Sequence, residues 1–491
     1  MHKTFLGIDL GTTFSAIATV DSTGNPIILE NSEGDLITPS CVEIDEDGDV
    51  EVGKYPKKGY GVQDNVFARF KTDMSDNKSY SIKSTGKKIN AVQLSAHVLE
   101  KMYTDAQKRV QDIKEIVVTI PASFEMAARD NTVKACKKAG FSPKHIINEP
   151  TAAAIFYAQK GELKKGKYVV FDLGGGTFDV SIISINSESN IGQGQDDINV
   201  LCSQGSPKLG GLDFDDALLE YVKEHYKAKG TPLNPKDYTL VDAEEDKKEL
   251  SSRKKKQIQI NRPDVDDLTI TREKFEELIS TLTTQIEMYC MAALDEIGLK
   301  PSDVSDVLLV GGSTRIPVIQ RVAEKVFKKQ PKCTSNPDTV VARGAAFFAM
   351  YNADDTLLND TQQGKKEQAN ISEVSNAYYG TRVQDPYDIH KTLNHIIMKK
   401  NQTLPITVKD TLYPIVDGQR AINCSITESK DDTESLEFVN YLTDDKYTLD
   451  LGDDSRQDEP INLTYTLDSQ QILSATWEYR GEVTKVKLKL K

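Results

Sequence analysis

Tryptophan occurs once in these 491 residues, cysteine and histidine six times each, and methionine eight times. The cysteines Cys41, Cys136, Cys202, Cys290, Cys333 and Cys424 stand far apart and form no C-x-x-C pair. That spacing disfavours a zinc ribbon and a disulfide framework, and it predicts a reducing, cytoplasmic setting. The histidines include no H-x-x-x-H pair, which removes the usual helical metal site. No apolar run approaches the roughly 20 residues of a membrane helix, so no membrane association is expected. A strand pattern begins at Thr4, so no leader peptide is expected either. Positive charge is in deficit: 61 Lys and Arg against 75 Asp and Glu leave a net charge of -14. A nucleic-acid backbone calls for the opposite balance. The basic run Arg253-Lys254-Lys255-Lys256 is local and reads as a solvated face.

Apolar residues at 38% and charged residues at 28% describe globular material rather than a disordered chain. The length suggests about three domain-sized units. To about residue 350, strand and helix patterns alternate, which predicts an α/β architecture. Helical periodicity is expected over 90–113, 125–139 and 272–297, with Gly140 and Gly298 as stops. The apolar runs 115–120 and 307–310 read as buried strands. Residues 351–375 lose the apolar period and read as a linker. Over 376–491 short runs alternate in the β manner, among them 404–408, 420–426, 461–465 and the strictly alternating 485–491. Asp444, Asp450, Asp453 and Asp454 read as a solvated loop.

Two segments nearly repeat each other: Ile8-Asp9-Leu10-Gly11-Thr12-Thr13, and Phe171-Asp172-Leu173-Gly174-Gly175-Gly176-Thr177. Each delivers an aspartate from an apolar strand into a glycine and hydroxyl turn, and then re-enters an apolar run. Glycine lets backbone N–H groups approach an anion, and threonine hydroxyls add donors. A carboxylate at the strand end can hold magnesium through water. Two such hairpins face to face suit a nucleoside triphosphate. Three further segments join a strand to a helix: 146–154 with Glu149 at the joint, 209–215 with Gly210 and Gly211, and 310–317 with Gly311 and Gly312.

These five segments resemble the nucleotide-site segments of the actin-like ATPase superfamily. More narrowly, 148–154, 171–180 and 311–317 resemble the seventy-kilodalton heat-shock chaperones. Asn336-Pro337-Asp338 with Ala342 and Gly344 resembles that family's closing signature. The resemblance implies duplicated ribonuclease-H-like lobes over 1–350, a linker over 351–375 and a mainly antiparallel β-sandwich over 376–491. It also implies ATP hydrolysis to ADP and phosphate with magnesium, leaving potassium open as a second ion. Asp9 and Asp172 would anchor magnesium through its waters. Thr12, Thr13, Gly11 and the backbone of Gly174, Gly175, Gly176 and Thr177 would cradle phosphate oxygens. Thr177 and Glu149 would orient the attacking water or the metal shell, and Lys71 would stabilise charge on the γ-phosphate. Gly210, Gly211, Glu244, Lys247, Lys248 and Ser251 would hold ribose and adenine, with Gly311, Gly312, Ser313, Arg315 and Asp338 opposite. Lys248 stands where the family usually has an arginine, and lysine lacks the planar stacking face. Phe14 replaces a frequent tyrosine.

Pro121, Arg129 and Glu149 match a set that in the family relays nucleotide state; a strand stop and a helix-surface charge are the plain alternatives for the first two. The family's linker is a leucine-rich acidic strand, and here 369–374 is the nearest approach. In the β-domain, 400–405, 417–419 and 467–475 fall in the family's order. They bring Leu412, Ile415, Ile422 and Cys424 near the family's peptide pocket, with a plain core reading equally open. The helical lid that follows in the family has no counterpart in these residues. The expected function is an ATP-dependent chaperone, acting in protein folding and the stress response, that binds unfolded or extended polypeptide. A J-domain co-chaperone and a nucleotide-exchange factor would be its partners. The alternative is a nucleotide-sensing module with one dedicated partner and no refolding. A sugar or acetate kinase shares the turns but would not carry the appended β-domain.

Overall fold

The same strand order occurs twice in the first 371 residues. One sheet runs, in spatial order, His145–Asn148, Ile113–Ile120, Thr4–Asp9, Phe14–Val20 and Pro26–Ile28, with Thr38–Pro39 also pairing Phe14–Val20. The other runs Lys332–Cys333, Asp306–Val310, Gly166–Leu173, Phe178–Asn186 and Asp196–Ser206. In both, the third strand pairs parallel with the second and antiparallel with the fourth. The hairpin carrying Asp9 and the hairpin carrying Asp172 thus hold equivalent places in two related lobes. This is a computed structural model describing residues 3–488 except 77, 162, 187–195, 335, 367–368, 386, 389, 444–446, 469–470 and 487. Asp444, residues 469–470 of the 467–475 segment, and residues 487 and 489–491 of the closing alternation lie outside the described residues.

Continuous apolar runs make the central strands buried on both faces, as helix-covered sheets require. In the first lobe the helix Val340–Tyr351 crosses the sheet at very short range. A Cβ on Gly7 would lie 2.0 Å from the Ala346 nitrogen, and one on Gly344 would lie 1.7 Å from the Ala152 carbonyl oxygen. Only glycine permits that packing of helix on strand and helix on helix. The second lobe's core gathers Phe171, Phe178, Phe214, Phe275 and Ile286, with Phe171 and Phe178 edge to face at 4.9 Å.

Helix ends follow local chemistry. Asn90 caps Ala91–Arg109 and Thr239 caps Leu240–Ser252, each in a capping box. The single helix expected over 272–297 is instead two, Arg272–Leu278 and Ser280–Glu296. Ile279 breaks the ladder with φ -95° and ψ 9° while its side chain stays fully buried. The segment expected as a linker contains the helix Asp360–Lys366 and the strand Ala369–Ser372, which pairs with the edge strand Asp196–Ser206. Strand pairing uses backbone groups, so it forms here without a leucine-rich sequence.

By contact, the chain divides into Met1–Phe124 with Asn131–Ile371, and Glu125–Asp130 with Ser372–Lys491. The second unit is a sandwich. Thr392–Met398, Tyr378–Gln384, Thr427–Ser429 and Asn440–Tyr441 form one sheet; Ile406–Leu412, Ile461–Leu467, Leu473–Tyr479 and Glu482–Val486 form the other. Strict alternation in Ile461–Leu467 and Leu473–Tyr479 sends Leu463, Tyr465, Ala475 and Trp477 inward. Tyr465 and Trp477 meet edge to face at 5.8 Å.

Candidate active site

Between the two lobes of the first unit lies a cavity of about 480 Å³, within the range of small-molecule sites. Both repeat turns open into it. Asp9, Gly11, Thr12 and Thr13 line it from one side, and Asp172, Gly174, Gly175 and Thr177 from the other. The turns press together: a Cβ on Gly175 would fall 1.7 Å from Thr13 Oγ1. Thr13 Oγ1 is buried and has no hydrogen-bond partner, so the turn keeps a donor in reserve. The Gly174 N–H, by contrast, donates to the Thr177 carbonyl at 3.1 Å and closes its own turn. Gly176 and Gly210 do not line the cavity. Gly176 accepts from the Leu209 N–H at 3.1 Å, and the Gly210 N–H donates to Asp213 Oδ2 at 2.7 Å. They brace the turn rather than face the space.

The strand His145–Asn148 ends in the helix Glu149–Gln159, with Pro150 in its first turn. That junction puts the Glu149 carboxylate at a positive helix end. Lys71, on the short 3₁₀ turn Phe70–Asp73, donates to Glu149 Oε1 at 2.6 Å. Both are buried, at 3% and 6% exposure. Asp9 accepts from Thr119 Oγ1 at 3.0 Å. Burial, then the charge of Glu149, pushes Asp9 up to about 7. The same two causes raise Asp172 well above the carboxylate range. Asp179, which accepts from the Ser123 N–H at 2.9 Å, is pushed up to about 7, first by burial and then by Glu149. Lys71 is a cation set against these carboxyl groups and opposes their rise. Among the described residues no group of three or more His, Cys, Asp or Glu side chains converges as a direct metal-ligand set, so carboxylates here would hold a cation only through water.

At the other end of the cavity the helix Leu240–Ser252 presents Glu244, Lys247, Lys248 and Ser251, whose spacing of three, one and three keeps them on one side. Lys247 pairs with Asp215 at 2.7 Å and donates to the Gly211 carbonyl at 2.9 Å. Ser251 Oγ donates to the Lys247 carbonyl. Burial alone would raise Glu244, but Lys57 and Lys248, each 2.8 Å away, outweigh it and hold the group at about 2. Lys248 also reaches Glu245 at 2.8 Å, so its ammonium is tied to carboxylates. The Phe14 ring takes Lys57 at 4.1 Å and Lys248 at 5.7 Å. Facing this helix, Gly311, Gly312, Ser313, Arg315 and Asp338 complete the lining. Ser313 Oγ donates to the Gly174 carbonyl at 2.9 Å, and Arg315 pairs with Asp338 at 3.3 Å.

Sequence reading missed Lys57, Asp179 and Asp215. Asp179 and Asp215 lie inside the quoted segments. Lys57 has no local signal, since its partner is 187 positions away. Pro121 follows directly on the strand Ile113–Ile120, and neither Pro121 nor Arg129 lines the cavity. In the sandwich, Ile415 is 46% exposed, Leu412 and Ile422 are half-buried, and Cys424 is fully buried in the core with Tyr465 and Trp477. Core packing withdraws Cys424 from any surface pocket.

Two lobes of one topology, closing on a cleft between paired glycine turns, define an actin-like ATPase fold carrying a β-sandwich. The family model described as "Hsp70 protein" matches residues 5–433. The chain is 33% identical over 530 aligned residues to the chaperone protein DnaK of Stenotrophomonas maltophilia (strain R551-3), covering 99% of this chain and 78% of that relative. The chain therefore belongs to the Hsp70 family. Members of that family are ATPase chaperones that bind ATP or ADP with magnesium, unfolded polypeptides and co-chaperones. Among the described residues, no helix is long and apolar enough to cross a membrane.

Proposed function

We propose that this chain is an ATP-hydrolysing chaperone whose cleft turns over ATP and whose β-sandwich binds extended apolar polypeptide segments. The observation that carries the reading is the apposition of the two glycine turns around a buried Lys71–Glu149 pair. Thr12, Thr13, Gly175 and Thr177 hold the phosphates, and the reserve hydroxyl of Thr13 fits a phosphate oxygen. Glu149 accepts a hydrogen bond from the attacking water and orients it, while Lys71 offsets negative charge on the terminal phosphate. Asp9 and Asp172 would hold magnesium, which would supply charge neutralisation. Glu244, Lys247 and Ser251 bind the ribose end, with Ser313 and Arg315 against the base. Because Lys248 is committed to Glu244 and Glu245, the base is gripped mainly from the Arg315 side.

Leu412, Ile415 and Ile422 are the proposed peptide contacts, next to exposed Tyr413 and Val416. The family's chaperone role does not favour the narrower reading as a sensing module. The test is ATP turnover by the full chain with and without an extended, apolar-rich peptide. Peptide binding that depends on the nucleotide supports the proposal. Absence of peptide binding in both the ATP and ADP states would sink the chaperone reading while leaving the ATPase intact.

A further inference from the structure

Lys71 depends for its placement on residues 69–76, and this segment is tied to the opposite lobe at both ends. Arg69 begins it with φ 63° and ψ 3°, a left-handed conformation that costs a side-chain-bearing residue energy and needs support from its surroundings. Its carbonyl accepts from the Thr72 N–H at 3.2 Å and from Thr72 Oγ1 at 2.8 Å, starting the turn that carries Lys71. Its guanidinium Nη1 reaches Asp216 Oδ2 at 2.6 Å, on the helix Gly211–Ala228 of the second lobe. At the far end, Asp76 takes Lys208 Nζ at 2.9 Å. The two partners, Lys208 and Asp216, flank the Gly210–Gly211 turn. A separate observation ties Arg69 to the phosphate side. With Thr12 and Thr13 it lines a second, small cavity of about 30 Å³. Arg69 Nε and Thr13 Oγ1 are both buried without hydrogen-bond partners.

Half-exposed ion pairs such as Arg69–Asp216 add little to stability; their effect here is on geometry. We propose that Arg69 is a positioning residue. By pairing with Asp216 across the cleft it fixes the turn that sets Lys71 against Glu149, so Lys71 is in place only when the lobes are closed. This inference rests on the ATPase reading above for its kinetic consequence and not for its structural one.

The test uses the full chain carrying Arg69→Ala, Arg69→Lys, or the exchanged pair Arg69→Asp with Asp216→Arg; aspartate tolerates the left-handed backbone. Lys83→Ala, which removes an exposed pair with Asp64, is the control and should leave turnover unchanged. Arg69→Ala is expected to slow single-turnover hydrolysis roughly 10- to 100-fold, the cost of a small misplacement at the reacting centre. Its ADP dissociation constant should change by no more than about twofold, since nucleotide-binding groups are untouched. Without nucleotide, the amides of Met74 and Asp76, which close the turn onto Lys71 and Asp73, should exchange faster. Arg69→Lys and the exchanged pair should restore part of both readouts. Wild-type turnover and wild-type exchange in Arg69→Ala would overturn the proposal, as would an exchanged pair no better than Arg69→Ala. If the wild-type chain hydrolyses no ATP, the ATPase reading fails, and the exchange data still decide whether Arg69 holds the turn.

Discussion

Replacing Lys71 by methionine keeps the length of the side chain and removes its charge from a site where Glu149, Asp9 and Asp172 remain. Glu149 then loses the ammonium 2.6 Å from its carboxylate, at a position only 6% exposed. Breaking a buried pair from one side costs about 3–5 kcal/mol, because a desolvated charge is left without a partner. Neutralising both partners costs far less, since neither charge is stranded. Lys71→Met should therefore lower the nucleotide-free stability of the first unit by about 4 kcal/mol, while Lys71→Met with Glu149→Gln recovers most of that loss. In a unit of this size the single change corresponds to a melting shift on the order of 5 °C. The assay is a double-mutant cycle by urea denaturation without nucleotide or metal, following far-UV circular dichroism. Equal stability of Lys71→Met and wild type, or a double variant no better than the single one, would refute the claim that the pair is buried and mutually dependent.

Gly175→Ala drives a methyl group into Thr13, and the overpacking should lower the nucleotide-free stability of the first unit by about 1–3 kcal/mol in urea denaturation; unchanged stability would show that the turns are not pressed together. Asp179 holds its proton more tightly folded than unfolded, so its ionisation costs stability as pH rises from about 4 through about 7. Asp179→Asn should remove up to about 4 kcal/mol of that loss, seen as a variant that gains on wild type between pH 4 and pH 7 in urea melts; parallel profiles over that range would contradict it. Trp477 is 1% exposed in the sandwich core, so Trp477→Ala should destabilise that unit by about 3–5 kcal/mol, read from its circular dichroism melt.

The parts of the fold that local pattern determines were legible in the sequence. The Asp9 and Asp172 hairpins announce themselves by a strand, an acid and a glycine turn, and the alternation in Ile461–Leu467 sorts its own inside from outside. What long-range packing determines was not legible. The break at Ile279 sits inside an unbroken apolar period, because tertiary contacts rather than periodicity end that helix. The strand Ala369–Ser372 is made by backbone pairing with a distant edge, so local wording marks 369–374 only as the nearest approach to a linker strand and does not indicate its partner. The same distinction runs through the candidate site. Glu149, Lys247 and Ser313 lie in segments of recognisable wording, whereas Lys57 and Arg69 acquire their places only when Glu244 and Asp216 arrive from the other lobe. Core burial of Cys424 likewise depends on where Tyr465 and Trp477 pack, which residue spacing alone does not give.

The cleft between the paired turns is proposed to hydrolyse ATP, with Asp172 as part of its cation site. The direct measurement is single-turnover hydrolysis of labelled ATP by the full chain in magnesium, beside Asp172→Ala with its fold checked by circular dichroism. Phosphate release is expected from the wild-type chain and none above background from the folded variant. A wild-type chain that releases no phosphate, or a variant that releases it at the parental rate, would contradict it.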